Sequence, residues 1–147
     1  VTADEGARVL GVDLGEARIG LALSDPLGVT AQPLETLVRQ GARADLAEVA
    51  RIAREREVRA IVVGLPLRLD GDEGPAAEAA RRFARRLEGR LPGVRLEFWD
   101  ERLTTVLAER TMISGRARRA RRRERVDTVA AVLILQSWLD AHRHEQA

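Results

Sequence analysis

Apolar residues run almost unbroken from Arg8 to Leu14 and again from Arg18 to Ser24, with the short turn Gly15-Glu16 between them. Runs this dense in Val, Leu and Ile predict two buried strands in a hairpin. A third strand is predicted over Val29–Arg39. Pro33 lies within it and places it at a sheet edge, because proline cannot donate to a central ladder. Helical spacing follows at Leu46, Val49, Ala50 and Ala53, and Ala60–Leu65 (AIVVGL) reads as a buried strand. Pro75 opens a helix whose stripe is Ala76, Ala80, Phe83, Ala84 and Leu87, with Gly89 and Pro92 as its stop. Val94, Leu96 and Phe98 alternate with polar residues and predict a fifth strand. A helix is expected from about Leu103 to Gly115, and a last one from about Val126 to Ala141.

The element order is therefore βββαβαβαα. Three consecutive strands suggest an antiparallel meander. Strands four and five alternate with helices, which requires parallel crossovers. The expected architecture is α/β: a five-stranded mixed sheet with helices on both faces, in the order of the ribonuclease H-like fold. A chain of 147 residues suits one domain spanning 1–147, with 1–6 and 142–147 expected as frayed tails. The absence of cysteine excludes disulfides, thiolate metal sites and a thiol nucleophile. No apolar run is long enough for a membrane span, and the opening VTADEGAR lacks the pattern of a signal peptide, so a cytoplasmic protein is expected.

Charge changes the picture. All 25 basic residues are arginine, set against 23 carboxylates, for a net charge of +2. The sequence pI of about 10.6 reflects the lack of Lys, Tyr and Cys, since little titrates between neutrality and the arginine range. Distribution is more informative than the total. Residues 116–125 hold seven arginines and one glutamate, so the rest of the chain is net acidic. Such a run is either a solvated loop or a contact for a phosphate backbone. A second cluster, Arg81, Arg82, Arg85 and Arg86, lies on the helix after Pro75.

Three carboxylates stand where a core would not place them. Asp13 ends the first strand on the face of Val9 and Gly11, opposite the small residues Gly20 and Ala22. Glu101 follows the fifth strand, and in this fold the first and fifth strands present their carboxyl ends together, where open α/β sheets bind ligands. Asp127 precedes Ala130, Ala131, Ile134, Leu135 and Trp138 by 3, 4, 7, 8 and 11 residues, so it begins the buried helical stripe. Each acid also has a plainer reading: a turn cap for Asp13, a favourable helix N-terminus for Glu101 and its neighbour Asp100, and a dipole partner for Asp127. Together they offer the oxygen ligands that hard divalent cations take, and paired cations can drive phosphodiester hydrolysis.

Four blocks carry a resemblance: Gly11-Val12-Asp13-Leu14-Gly15-Glu16-Ala17-Arg18-Ile19-Gly20; Val63-Gly64-Leu65-Pro66 with Asp70-Gly71; Asp100-Glu101-Arg102-Leu103-Thr104-Thr105; and Asp127-Thr128-Val129-Ala130-Ala131 with Ile134-Leu135-Gln136. In this order they resemble the YqgF family, also called RuvX, over almost the whole chain. The resemblance implies a ribonuclease H-like nuclease that needs Mg²⁺ or Mn²⁺ in a two-ion site. It acts either in 5′-end maturation of pre-16S ribosomal RNA or as a Holliday junction resolvase on branched DNA, the latter calling for a homodimer. By position the catalytic and metal-binding acids are Asp13, Glu101 and Asp127, and Arg18 is the family's basic residue before Ile-Gly. Ala17 stands where the family often has lysine. The related RuvC resolvases carry one more acid on the last helix, where this chain has Ala130; a water, Asp100 or a substrate phosphate would take its place.

The expected substrate contacts are Arg18, Thr104 and, from the basic run, Arg116, Arg118, Arg119, Arg121 and Arg122. The run leads directly into Asp127, which favours its phosphate-binding reading. Thr104 and Thr105 are placed either to donate to phosphate or to cap a helix. Aromatic residues are few, so recognition of backbone and shape is expected over base stacking. His142 and His144 are expected in a solvated tail. Two rivals remain at this level. Asp13-x-Gly15 with Gly20 also resembles the first phosphate loop of actin-like ATPases and sugar kinases, though those need two such domains around the nucleotide. A non-catalytic nucleic-acid-binding module would keep the arginines but has no use for the acids.

Overall fold

The computed structural model describes residues 8–104 and 119–143, with the side chains of all of these except 119–127. Strands β1 (Arg8–Leu14), β2 (Arg18–Ser24) and β3 (Ala31–Val38) are followed by α1 (Ala42–Glu55), β4 (Val58–Leu65), α2 (Pro75–Arg90), β5 (Arg95–Asp100), a 3-10 turn at Glu101–Leu103 and α3 (Arg119–Arg143). The sheet order is β3-β2-β1-β4-β5. β1 pairs antiparallel with β2, and β2 with β3, forming the expected meander. β4 pairs parallel with β1, and β5 with β4, as helical crossovers require. β3 is an edge strand, the position that tolerates Pro33.

Side-chain alternation divides the core into two layers. Leu10, Val12, Ile19, Leu21, Ile61 and Val63 pack under α1 and α2. Val9, Ala22, Ala60 and Val62 pack under Ala130, Ala131, Ile134, Leu135 and Trp138 of α3. Where α3 presents Ala130 and Ala131 over Gly11, the helix lies close to the strands. A Cβ on Gly11 would stand only 2.8 Å from Leu135 Cβ and 3.1 Å from the Ala131 carbonyl oxygen. Polar ties hold the helix at its edges. The Gln136 amide accepts from Ala31 N–H (2.9 Å) and donates to the Val29 carbonyl (2.9 Å), while Trp99 Nε1 donates to Ser137 Oγ (3.0 Å).

Three expectations change. α3 starts at Arg119, well before Val126, so Arg119, Arg121 and Arg122 are helical and do not form a loop. The apolar stripe marks only the part of the helix that meets the sheet. Arginine and alanine are strong helix formers, and no Gly or Pro interrupts the basic segment. α2 runs through Gly89 to Arg90 before Leu91 caps it. His142 belongs to the last turns of α3, stacked on Trp138 with ring centroids 4.1 Å apart, and its Nδ1 lies 2.8 Å from the Trp138 carbonyl oxygen. The helix expected from Leu103 falls mostly on residues outside those described. Among the described residues, no helix is long and apolar enough to cross a membrane.

Candidate active site

Asp13 lies opposite Gly20 on β2, and Gly20 lies opposite Thr36 on β3. On the other side of β1 the parallel ladder ends at Val12 opposite Val63, and the next residue of β4 is Gly64. By alternation this row faces α3. Asp13 therefore has a glycine on each side, and the missing Cβ atoms open a gap under the helix.

Glu101 enters the same gap from beyond β5. A Cβ on Gly64 would sit 2.9 Å from Glu101 Oε1 and 2.5 Å from Ile134 Cδ1. The two carboxylates come from positions far apart in sequence, and each is only 1% exposed. Burying charge in this way is costly unless each carboxylate faces a cation or hydrogen-bond donors.

The third expected acid, Asp127, is carried by α3, where it immediately precedes Thr128. The Thr128 hydroxyl hydrogen-bonds with that of Thr36. This contact brings the start of the described part of α3 over the Thr36–Gly20–Asp13 row. The Asp127 side chain lies outside those described. Among the described residues no group of three His, Asp or Glu forms a candidate metal site. Two oxygen donors, Asp13 and Glu101, are thus placed by side chain, and Asp127 by its helix. Ala130 is buried against the sheet.

Arg18 begins β2 opposite Val38, two residues from Gly20 and on the same face. It is half-buried at the site end of the hairpin. The Thr104 hydroxyl donates to the Glu101 carbonyl (2.8 Å), and its N–H donates to the same oxygen (3.1 Å). In this structure Thr104 therefore closes the 3-10 turn. Arg119, Arg121 and Arg122 lie on α3 with side chains outside those described, while Thr105, Arg116 and Arg118 lie outside the described residues altogether.

Asp100 does not join the acids. Its carboxylate accepts from the Arg102 N–H (2.9 Å) and pairs with the Arg102 guanidinium (2.7 Å). That hydrogen-bonded guanidinium holds the Asp100 carboxyl below the usual range. Arg102 also reaches across to the Leu69 carbonyl (3.5 Å), tying the 3-10 turn to the loop after β4.

A second polar arrangement supports the β1–β2 turn. Arg39 Nη1 donates to the Gly15 carbonyl (2.7 Å), and its Nε donates to Asp45 Oδ2 (2.7 Å). Asp45 is buried and also accepts from the Gln40 N–H (2.8 Å). The turn carries Asp13 on one side and Arg18 on the other, so this clamp fixes the strand ends that bear them. Sequence reasoning missed Arg39 and Asp45, although the signal was present. Asp45 precedes Val49, Ile52 and Ala53 by 4, 7 and 8 residues, the same buried-stripe pattern that singled out Asp127.

The family model for RuvX, described as Holliday junction resolvase, matches residues 7–141. A Myxococcus xanthus protein named "Putative pre-16S rRNA nuclease" is 56% identical over 136 residues, covering 92% of this chain and 89% of that protein. A protein of the same name from Anaeromyxobacter dehalogenans is 50% identical over 133 residues, covering 90% of this chain and 96% of that protein. Among solved structures, Thermus thermophilus RuvC in complex with Holliday junction substrate aligns with a TM-score of 0.61 at 15% identity, covering 94% of this chain and 96% of that one. Fowlpox virus resolvase with its junction DNA aligns with a TM-score of 0.52 at 10% identity, covering 91% and 97%. At these identities the two structures establish the shared ribonuclease H-like fold.

Proposed function

From the premise that the chain belongs to the RuvX family, we propose that it is a divalent-metal-dependent nuclease that hydrolyses phosphodiester bonds in structured nucleic acid. The single observation that carries this reading is the pair of buried carboxylates, Asp13 on the strand flanked by Gly20 and Gly64, and Glu101 with its Oε1 against Gly64.

The gap fits a hard cation. Its donors are carboxylate oxygens, and a side chain at Gly64 would fill it. Asp13, Glu101 and Asp127 would hold Mg²⁺ or Mn²⁺ as a two-ion site. When bound, such ions supply Lewis acidity to the scissile phosphate and to the attacking water. The chain's own groups do the rest. Arg18 lies on the same face and forks onto phosphate oxygens, which orients the backbone over the acids. Arg119, Arg121 and Arg122 belong to the turns of α3 that precede Asp127, Arg116 and Arg118 come before them in sequence, and these five would supply further phosphate contacts. The Arg39–Asp45 clamp keeps Asp13 and Arg18 in fixed relation. The whole chain acts as one domain.

The relatives' names point to 5′-end maturation of pre-16S ribosomal RNA as the role, which accords with a cytoplasmic setting. A second reading is Holliday junction resolution, favoured by the fold shared with RuvC. That reaction cuts two strands symmetrically and requires a two-fold dimer. The two separate in one experiment: cleavage of a 5′-extended 16S precursor fragment and of a four-way DNA junction, side by side, with Glu101→Gln as control. Cleavage of the RNA alone by the wild type, lost in Glu101→Gln, is the expected result. Cleavage of the junction alone selects the second reading. Equal activity of Glu101→Gln and wild type overturns the site itself.

A further inference from the structure

The outer faces of α1 and α2 both carry exposed arginines, spaced apart on α1 and close together on α2. On α1, Arg51 is neutralised from both sides by Glu48 and Glu55, three and four residues away. On α2, Arg81 pairs with Glu73 and covers the Phe98 ring, 4.9 Å from its centroid. The four arginines that follow, Arg82, Arg85, Arg86 and Arg90, are all exposed. None of them forms a side-chain ion pair among the described residues, although Glu78 stands one turn before Arg82.

Arg82, Arg86 and Arg90 repeat every fourth residue, with Arg85 beside them. At about 1.5 Å rise per residue they form a stripe roughly 12 Å long. The stripe lies opposite the Ala80–Ala84–Leu87 face that α2 buries. Like charges at this spacing destabilise a helix by a few tenths of a kcal/mol per pair. On α1, Arg43 and Arg54 are likewise exposed without a side-chain ion pair among the described residues, but they stand three turns apart, so the close-set stripe is particular to α2.

α2 starts just beyond the carboxyl end of β4, the end at which Asp13 and Glu101 lie, and runs back along the opposite sheet face. A stripe of permanent, unneutralised cations leading away from the candidate site is complementary to a polyanion. We propose that Arg82, Arg85, Arg86 and Arg90 form a second phosphate-backbone surface, which grips a part of the nucleic acid that extends beyond the cleavage point. This rests on the nuclease reading above and adds to it where the substrate runs.

The test is the salt dependence of binding, measured by fluorescence anisotropy with metal chelated so that no cleavage occurs. The probe is a four-way DNA junction with arms of about 25 base pairs, and the proteins are full-length wild type, the triple variant Arg82→Gln/Arg85→Gln/Arg86→Gln, and Arg51→Gln. Each duplex phosphate contact adds about 0.9 to the slope of log affinity against log salt. The expected result is a slope shallower by about 2–3 in the triple variant and unchanged in Arg51→Gln, whose charge is already neutralised. Arg82→Gln and Arg86→Gln singly should each remove about one. The substituted positions are exposed and glutamine is a good helix former, so the melting temperature should hold or rise. An unchanged slope in the triple variant, or an equal change in Arg51→Gln, overturns the proposal while leaving the nuclease reading intact. Failure of the wild type to bind either this junction or the 5′-extended 16S precursor fragment would overturn both.

Discussion

Gly64 shows how a residue without a side chain can define a site. Its open position is where Glu101 Oε1 and Ile134 would otherwise meet a Cβ, at 2.9 and 2.5 Å. Gly64→Ala should therefore cost roughly 1–3 kcal/mol by overpacking and push Glu101 out of place. A thermal melt and a cleavage assay check this together, and a variant unchanged in both would show that the gap is roomier than described. Asp100 makes the opposite point, since its nearness to Glu101 in sequence does not bring it into the site. Arg102 holds its carboxyl below the usual range, so the pair stabilises the fold fully above the ordinary aspartate range. That contribution fades as pH falls through the depressed value. Asp100→Asn keeps an oxygen to cap the turn but loses the ion pair. At pH 7 the loss should be at most about 1 kcal/mol, because both partners are partly solvated, and the gap from wild type should close below about pH 4. Melting curves across pH test it; a gap that persists in acid would mean the pair is not its source. Asp13 stands out in the sequence as a charge at a strand end beside small residues, and Glu101 as a charge that directly follows a strand. Asp45 was passed over because a first-turn acid on a helix has a ready explanation in the dipole.

Strand positions were legible almost to the residue, since β1 and β2 are dense apolar runs bounded by polar turns. Helix ends were harder to read. The start of α3 was hidden because periodic apolar residues report contact with the sheet, whereas its first turns are arginine and alanine with no stripe to find. The tie between elements that matters most to the site was likewise invisible, because it joins the β1–β2 turn to the end of β3 and the first turn of α1 through Arg39 and Asp45. Arg39→Gln should leave Asp45 buried with its charge poorly matched. A loss of about 1–3 kcal/mol is expected, reduced from that of a fully buried pair because Arg39 is 27% exposed. Activity should fall further than the stability loss explains, as the turn that carries Asp13 and Arg18 loosens. Urea titration and steady-state kinetics on the same variant separate the two effects. Unchanged kinetics would reduce the clamp to a structural role.

At the scale of the whole molecule the net charge of +2 conceals an uneven distribution, with seven arginines and one glutamate in residues 116–125 and a net acidic remainder. Asp13 and Glu101 are buried beneath α3 at one end of the sheet, and Arg82, Arg85, Arg86 and Arg90 stand exposed along α2. A phosphodiesterase needs both: oxygen donors for cations at the cleavage point, and fixed cations for the polyanion around it. The decisive measurement is cleavage by Asp13→Asn under the Mg²⁺ or Mn²⁺ conditions in which the wild type cuts its substrate, with a thermal melt on the same sample. The central carboxylate then becomes a neutral isostere in the same glycine-lined gap. Cleavage should disappear while the protein still melts cooperatively, because the isostere keeps the shape of the side chain it replaces. Wild-type cleavage by a folded Asp13→Asn protein would contradict the account.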